Sequence, residues 1–329
     1  MSAKIAVILA GAVAKGAFEA GALEVLVRRN VEIVQIVGSS SGALNATMLA
    51  NGVCGGDAPN ATSRLVQLWE DEATLTHVFD LDARDLLQLR GVSDHDKLLR
   101  LLSSNIKPRK SSRTVGLRLV VAALNGALGQ IGSDPATTYE RVFRFDERDF
   151  ESDEGVARIF RAAVASASFP IAFAPFDAGD GAGPCLDGGV VNNTPIKYAL
   201  EGDGIDAVVV VVPAVQVSPL VSDLRGPDLV GHLADMLGNE RLYRDLREAE
   251  DVNRGLRNLA ELGLPQATLE QVKSAIGWAG RKPIEVVSIR PLQPLAGNAF
   301  SGFTSQVFRK QYVELGRERA NATLGNRWT

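Results

Sequence analysis

Two hydrophobic rhythms alternate along the chain. Short apolar runs rich in Val and Ile, bounded by Gly or polar residues, predict strands over 5–9, 33–37, 117–123, 142–145, 207–212 and 284–289. Segments in which apolar positions recur every three to four residues predict helices over 17–29, 42–50, 62–72, 97–103, 154–165, 195–200, 229–262, 269–278 and 305–322. Thr194 followed by Pro195 reads as an N-cap with a first-turn proline. Strands alternating with helices imply an α/β fold whose sheet is mostly parallel and covered on both faces. The run from Val208 to Val212 is apolar at every position, as a strand buried on both faces requires. With no internal repeat and no linker, the pattern reads as one domain over 1–329, with a mainly helical insertion or cap at about 214–282.

Composition narrows the function classes. The 329 residues are 46% hydrophobic and 22% charged, which suits a globular chain with a large core. A formal net charge of −4 provides no global positive field, so a nucleic-acid partner is not expected. The basic loop "KPRKSSR", with Lys107, Arg109, Lys110 and Arg113, is a candidate for lipid headgroups and equally a solvated turn. The longest apolar stretch, 207–215, falls short of the roughly 20 residues a spanning helix needs, so any membrane contact is expected to be peripheral. Cys54 and Cys185 are too few for a disulfide framework, and no basic leader precedes the first strand; both fit a cytoplasmic location. No His/Cys/acid cluster has metal-ligand spacing, so neither metal nor cofactor is expected. The sequence leaves the oligomeric state open.

Chemistry concentrates in three stretches. The predicted strand at 33–37 runs into "GSSSG", Gly38 to Gly42, and then into a helix; this strand–turn–helix context exposes Ser40 at the tip of a sharp turn. A plain Gly–Ser connector has the same composition. A serine nucleophile needs a base. Of the histidines, His77 lies in the loop-like "LTHVFD", His95 in the polar "SDHDK" before a helix, and His232, on a helical pattern, would complete a Ser, Asp, His chain order. The alternative base is Asp187 in "CLDGGVVNNTPI", held at a strand end by Gly188 and Gly189, where an aspartate can also serve only a turn. The third stretch, "GAVAKG", lacks both the Gly-Lys-Ser/Thr order of a phosphate loop and the third-position glycine of a dinucleotide fingerprint.

Together, "GAVAKGAFEAGAL", "GSSSGALNA", "ASASFPIAF" and "LDGGVVNNTPI" resemble, in order and spacing, the motifs of the patatin-like phospholipases. The resemblance covers about 4–50 and 160–213, with a looser echo over 284–322; residues 51–150 and 214–282 carry no assigned motif. It implies a three-layer α/β/α fold and a lipid or ester substrate. Hydrolysis would proceed by a Ser–Asp dyad without histidine, with Ser40 as nucleophile and Asp187 as proton acceptor. Gly38 and Gly42 flank the nucleophile in a sharp elbow. Residues Gly11, Ala12, Val13, Lys15 and Gly16 would form the oxyanion loop, with Ala12 and Val13 donating backbone amides.

The family's second and third loop glycines are Ala12 and Val13 here. A β-branched residue is costly at positive φ, so negative φ is expected at Val13. Lys15 is expected to hold the loop by a side-chain hydrogen bond or ion pair. Leu220, Leu224, Leu229, Leu233, Met236 and Leu237 read either as core or as an acyl channel. An acyltransferase using the same nucleophile and a lipid-binding protein with a weakened oxyanion loop remain alternatives to hydrolysis.

Overall fold

Alternate residues of the first strand serve two different cores, and this fixes the architecture. In the computed structural model, which describes residues 2–79, 93–131, 134–170, 172–199, 204–215 and 227–329, strand β1 is Ala3–Leu9. Ile5, Val7 and Leu9 join one apolar cluster, whereas Ala6 and Ile8 join another with Val208, Val210 and Leu242. A strand alternates its side chains, so burial on both sides means helices on both sides. Helices Ala17–Leu26, Ser41–Cys54, Asp153–Ser166 and Gln306–Leu324 contribute to the first cluster. Helix Pro227–Glu261 contributes Leu242 to the second. The chain is thus a three-layer α/β/α structure.

The remaining strands are β2 (Val31–Ser39), β3 (Gly116–Ile131), β4 (Asp134–Phe145), β5 (Phe176–Asp177), β6 (Pro184–Asp187), β7 (Ala207–Val211) and β8 (Glu285–Ile289). They follow the order β5-β6-β3-β2-β1-β7-β8, with β4 paired to β3. Pairings β1–β2, β1–β7, β2–β3 and β7–β8 are parallel; β3–β4, β3–β6 and β5–β6 are antiparallel. The sheet is therefore mixed, with a parallel centre. β3 and β4 follow each other directly and pair antiparallel as neighbouring strands of a hairpin do. Strands β5 and β6, of 2 and 4 residues, are too short for a periodic signal; β6 is the short strand expected to end at Asp187, and β5 has no counterpart among the expected strands.

The antiparallel direction of β6 positions the chemistry. Ser39 of β2 lies beside Val120 of β3, and Val121 lies beside Asp187, the last residue of β6. Because β6 runs against β3, it ends where β2 ends. A parallel β6 would carry its final carboxylate away from Ser40.

Some local expectations change. The Thr194 hydroxyl is buried and has no hydrogen-bond partner among the described residues, so it caps nothing there, and the short helix is Ile196–Ala199. Met236 is exposed, whereas Leu220, Leu224 and the side chains of Leu229, Leu233 and Leu237 lie outside the described residues. Cys54 and Cys185 are buried and free. Among the described residues no helix is long and apolar enough to cross a membrane.

Candidate active site

Strand β2 ends at Ser39, helix Ser41–Cys54 starts two residues later, and Ser40 takes the turn between them at φ 57 and ψ −133. That conformation is strained for an L residue and persists only where the surroundings hold it. Gly42 admits the tight approach: a Cβ there would stand 2.3 Å from the Leu9 carbonyl oxygen of β1. The turn directs the Ser40 hydroxyl at Asp187, and its Oγ donates to Oδ2 at 2.5 Å, with both residues buried. Asp187 Oδ1 accepts the Gly189 amide at 2.7 Å. Burial pushes the Asp187 carboxyl up to about 7, against the opposing hydrogen bonds from Ser40 and Gly189.

No histidine intervenes between hydroxyl and carboxylate. His77 is exposed beside Thr74. His95 is buried, bonds Ser168 Oγ at 3.0 Å and stacks on Phe173; burial pushes its pKa down. The side chain of His232 lies outside the described residues.

The 11–16 loop is fixed over Ser40 through its backbone. The Gly11 carbonyl accepts Asn193 Nδ2 at 3.0 Å, the Ala14 amide donates to the Ala299 carbonyl at 3.1 Å, and Asn45 Nδ2 donates to the Gly16 carbonyl at 3.0 Å. Asn45 also accepts from Trp69 Nε1 and donates to Glu19, whose complete burial pushes its carboxyl well above the usual range.

Three expectations for this loop are corrected. Val13 lies at φ 52, not at negative φ. The loop must turn back over Ser40, and the packing of the half-buried Val13 against the core, with the Ala14–Ala299 hydrogen bond, holds the strained geometry. The Ala12 amide is already engaged, donating to Ser41 Oγ at 3.0 Å, while the Val13 amide has no acceptor among the described residues. The Lys15 ammonium makes no ion pair or hydrogen bond among the described residues, since backbone contacts already fix the loop. Glycine removes the cost of positive φ at position 13. Val13→Gly is therefore expected to keep or raise ester turnover; a loss above about tenfold, ~1.4 kcal/mol in barrier, would show that the valine itself is required.

An apolar cleft of about 80 Å³ opens at Ser40, its wall built from residues such as Leu44, Met48, Trp69, Leu102, Phe169 and Phe303. The basic loop around Arg109 precedes β3, whose first residue pairs with Gln35, and the Ser112 amide donates to the Cys54 carbonyl at the far end of helix Ser41–Cys54, so the loop sits at the end of the strands opposite Ser40. Asn193, Ser41 and Asn45 were not singled out as site residues from sequence. The signal for them was their position inside motifs already quoted, with nothing to say which way each side chain turns.

A model of the patatin-like phospholipase family matches residues 7–200. Among solved structures, VipD from Legionella pneumophila is similar at 13% identity and TM-score 0.44, the match covering 98% of this chain and 66% of that one. A chain in the complex of full-length SpcU with full-length ExoU, from the type III secretion system of Pseudomonas aeruginosa, is similar at 16% identity and TM-score 0.27, covering 99% and 71%. The chain thus spans about two thirds of the VipD chain it matches. No curated protein sequence matches it.

Proposed function

The chain belongs to the patatin-like phospholipase family, and from that premise we propose that it hydrolyses carboxylic esters of lipid acyl chains through Ser40 and Asp187. The observation that carries this reading is the 2.5 Å hydrogen bond from Ser40 Oγ to Asp187 Oδ2 at the mouth of an apolar cleft. As Oγ attacks the ester carbonyl carbon, its proton passes to Asp187 and the carbonyl oxygen takes up the negative charge. Collapse of this intermediate breaks the bond to the alcohol, which leaves with the proton from Asp187. Water then attacks the acyl-enzyme, gives its proton to Asp187, and releases the fatty acid as Ser40 recovers its hydrogen.

A carboxylate of ordinary basicity is a poor base for a hydroxyl. Burial corrects this, since a pKa of about 7 makes Asp187 a far better proton acceptor at neutral pH. Stabilisation of the oxyanion is assigned to the Val13 amide, which no described residue accepts, and to the N-terminus of helix Ser41–Cys54. Ala12 then serves the loop through Ser41, and Gly11, Lys15 and Gly16 shape it. The apolar lining suits an acyl chain, and among the described residues it offers no charged group to a headgroup.

Fluorophosphonate labelling followed by peptide mapping tests the assignment. The label is expected on Ser40, and Ser40→Ala protein should neither react nor turn over a p-nitrophenyl ester. A label on another residue, or turnover by Ser40→Ala, would overturn it.

A further inference from the structure

Ser40 and Asp187 stand 147 positions apart, and one short stretch of a third element touches both. Helix Asp153–Ser166 ends in the quoted "ASASF" motif, where Ser166 and Ser168 are fully buried. Ser166 Oγ accepts the Ser40 amide at 3.0 Å and donates to the Val120 carbonyl at 2.5 Å. The Ser166 carbonyl accepts the Gly188 amide at 3.1 Å, and the Ser168 carbonyl accepts the Asp187 amide at 3.0 Å.

The direction of the Ser166 hydroxyl is informative. Serine near a helix end commonly bonds back to the carbonyl four residues earlier, as Ser168 does to Val164 at 2.8 Å. Ser166 instead reaches across to β3 and the elbow. Its partner there is the residue at φ 57, whose strain needs outside contacts to persist.

We propose that Ser166 is a positioning residue for the reaction, its hydroxyl holding the strained Ser40 backbone while the carbonyls of Ser166 and Ser168 hold the amides of Gly188 and Asp187. The inference rests on the dyad reading above. Loss of the hydroxyl leaves the Ser40 amide and the Val120 carbonyl without this partner in a buried site. The elbow then relaxes, and a displacement of about 1 Å between reacting groups is enough to cost roughly a hundredfold in rate.

The test is Ser166→Ala, assayed on a p-nitrophenyl ester with the enzyme concentration set by folded protein. Ser166 does not line the cleft, so KM should stay within about twofold while kcat falls between about tenfold and a hundredfold, and fluorophosphonate labelling of Ser40 should slow in parallel. Unchanged kcat, or a loss carried by KM, overturns the proposal. Should Ser166→Ala fail to fold, Ser166→Cys is judged by the same criterion, because a thiol keeps the shape but is a weak donor and acceptor. An active, labelled wild type beside an unimpaired variant refutes this inference alone. A wild type neither labelled nor active refutes the dyad reading and this inference together.

Discussion

Asp187→Asn is expected to lower kcat on a p-nitrophenyl ester by at least about a thousandfold, ~4 kcal/mol in barrier, while leaving the fold intact. The amide is nearly isosteric with the carboxylate. Its oxygen can still accept the Gly189 amide, and its NH2 then faces the Ser40 hydroxyl, which becomes the acceptor. What disappears is the base. A variant retaining more than about a tenth of wild-type turnover would show that another group removes the Ser40 proton.

The same substitution should move stability the other way. The Asp187 carboxyl faces the Ser40 hydroxyl and the Gly189 amide, and its pKa rises from the ordinary 3.8 to about 7. Between those values the folded chain keeps a proton that the unfolded chain has released, so stability falls as pH rises through this window and levels off above it. Activity has the opposite sign, because the base must be ionised: wild-type kcat/KM should climb through about pH 7 to a plateau. Above that midpoint the buried charge costs on the order of 4 kcal/mol, which Asp187→Asn removes. Thermal unfolding at about pH 8 should therefore show a higher Tm for the variant than for wild type.

The parts of this arrangement written in local pattern were legible in the sequence. Strand β1 and the apolar run of β7 declare themselves by composition, and Gly38, Ser40 and Gly42 mark an elbow because only small residues permit it. The link between Ser40 and Asp187 came from the order of motifs, since no periodicity in the chain encodes a meeting of residues 147 positions apart. Strand β6 shows why. Its 4 residues carry no period of their own, and their antiparallel direction is set by pairing to β3. The φ of Val13 departs from its local preference for a related reason: a β-branched residue disfavours +52, and the neighbouring Ala14–Ala299 hydrogen bond and packing against the core outweigh that preference. Tertiary hydrogen bonds likewise decide the partners of Ser166 and Asn193, which their motifs alone leave open.

Gly11→Ala should be the most damaging single-methyl addition in the loop. A Cβ on residue 11 would lie 2.3 Å from Asn193 Oδ1 and 2.5 Å from Ser40 Cβ, distances that real contacts do not tolerate. Asn193 can rotate away, though its hydrogen bond to the Gly11 carbonyl would go with it. Ser40 cannot yield in the same way, because its Cβ is fixed by a strained backbone between β2 and helix Ser41–Cys54. The loop must therefore lift from the nucleophile, taking the Val13 amide with it. A donor withdrawn by about 1 Å loses most of its hold on a developing oxyanion, and removing one such donor costs roughly a hundredfold to a thousandfold in kcat. Overpacking adds about 1–3 kcal/mol of destabilisation, so the variant should be assayed well below its own Tm, with Val13→Gly as the companion that relieves strain in the same loop. If Gly11→Ala kept near wild-type kcat, the loop would have to adjust without disturbing the reacting carbonyl, or the oxyanion would be held by the N-terminus of helix Ser41–Cys54 alone.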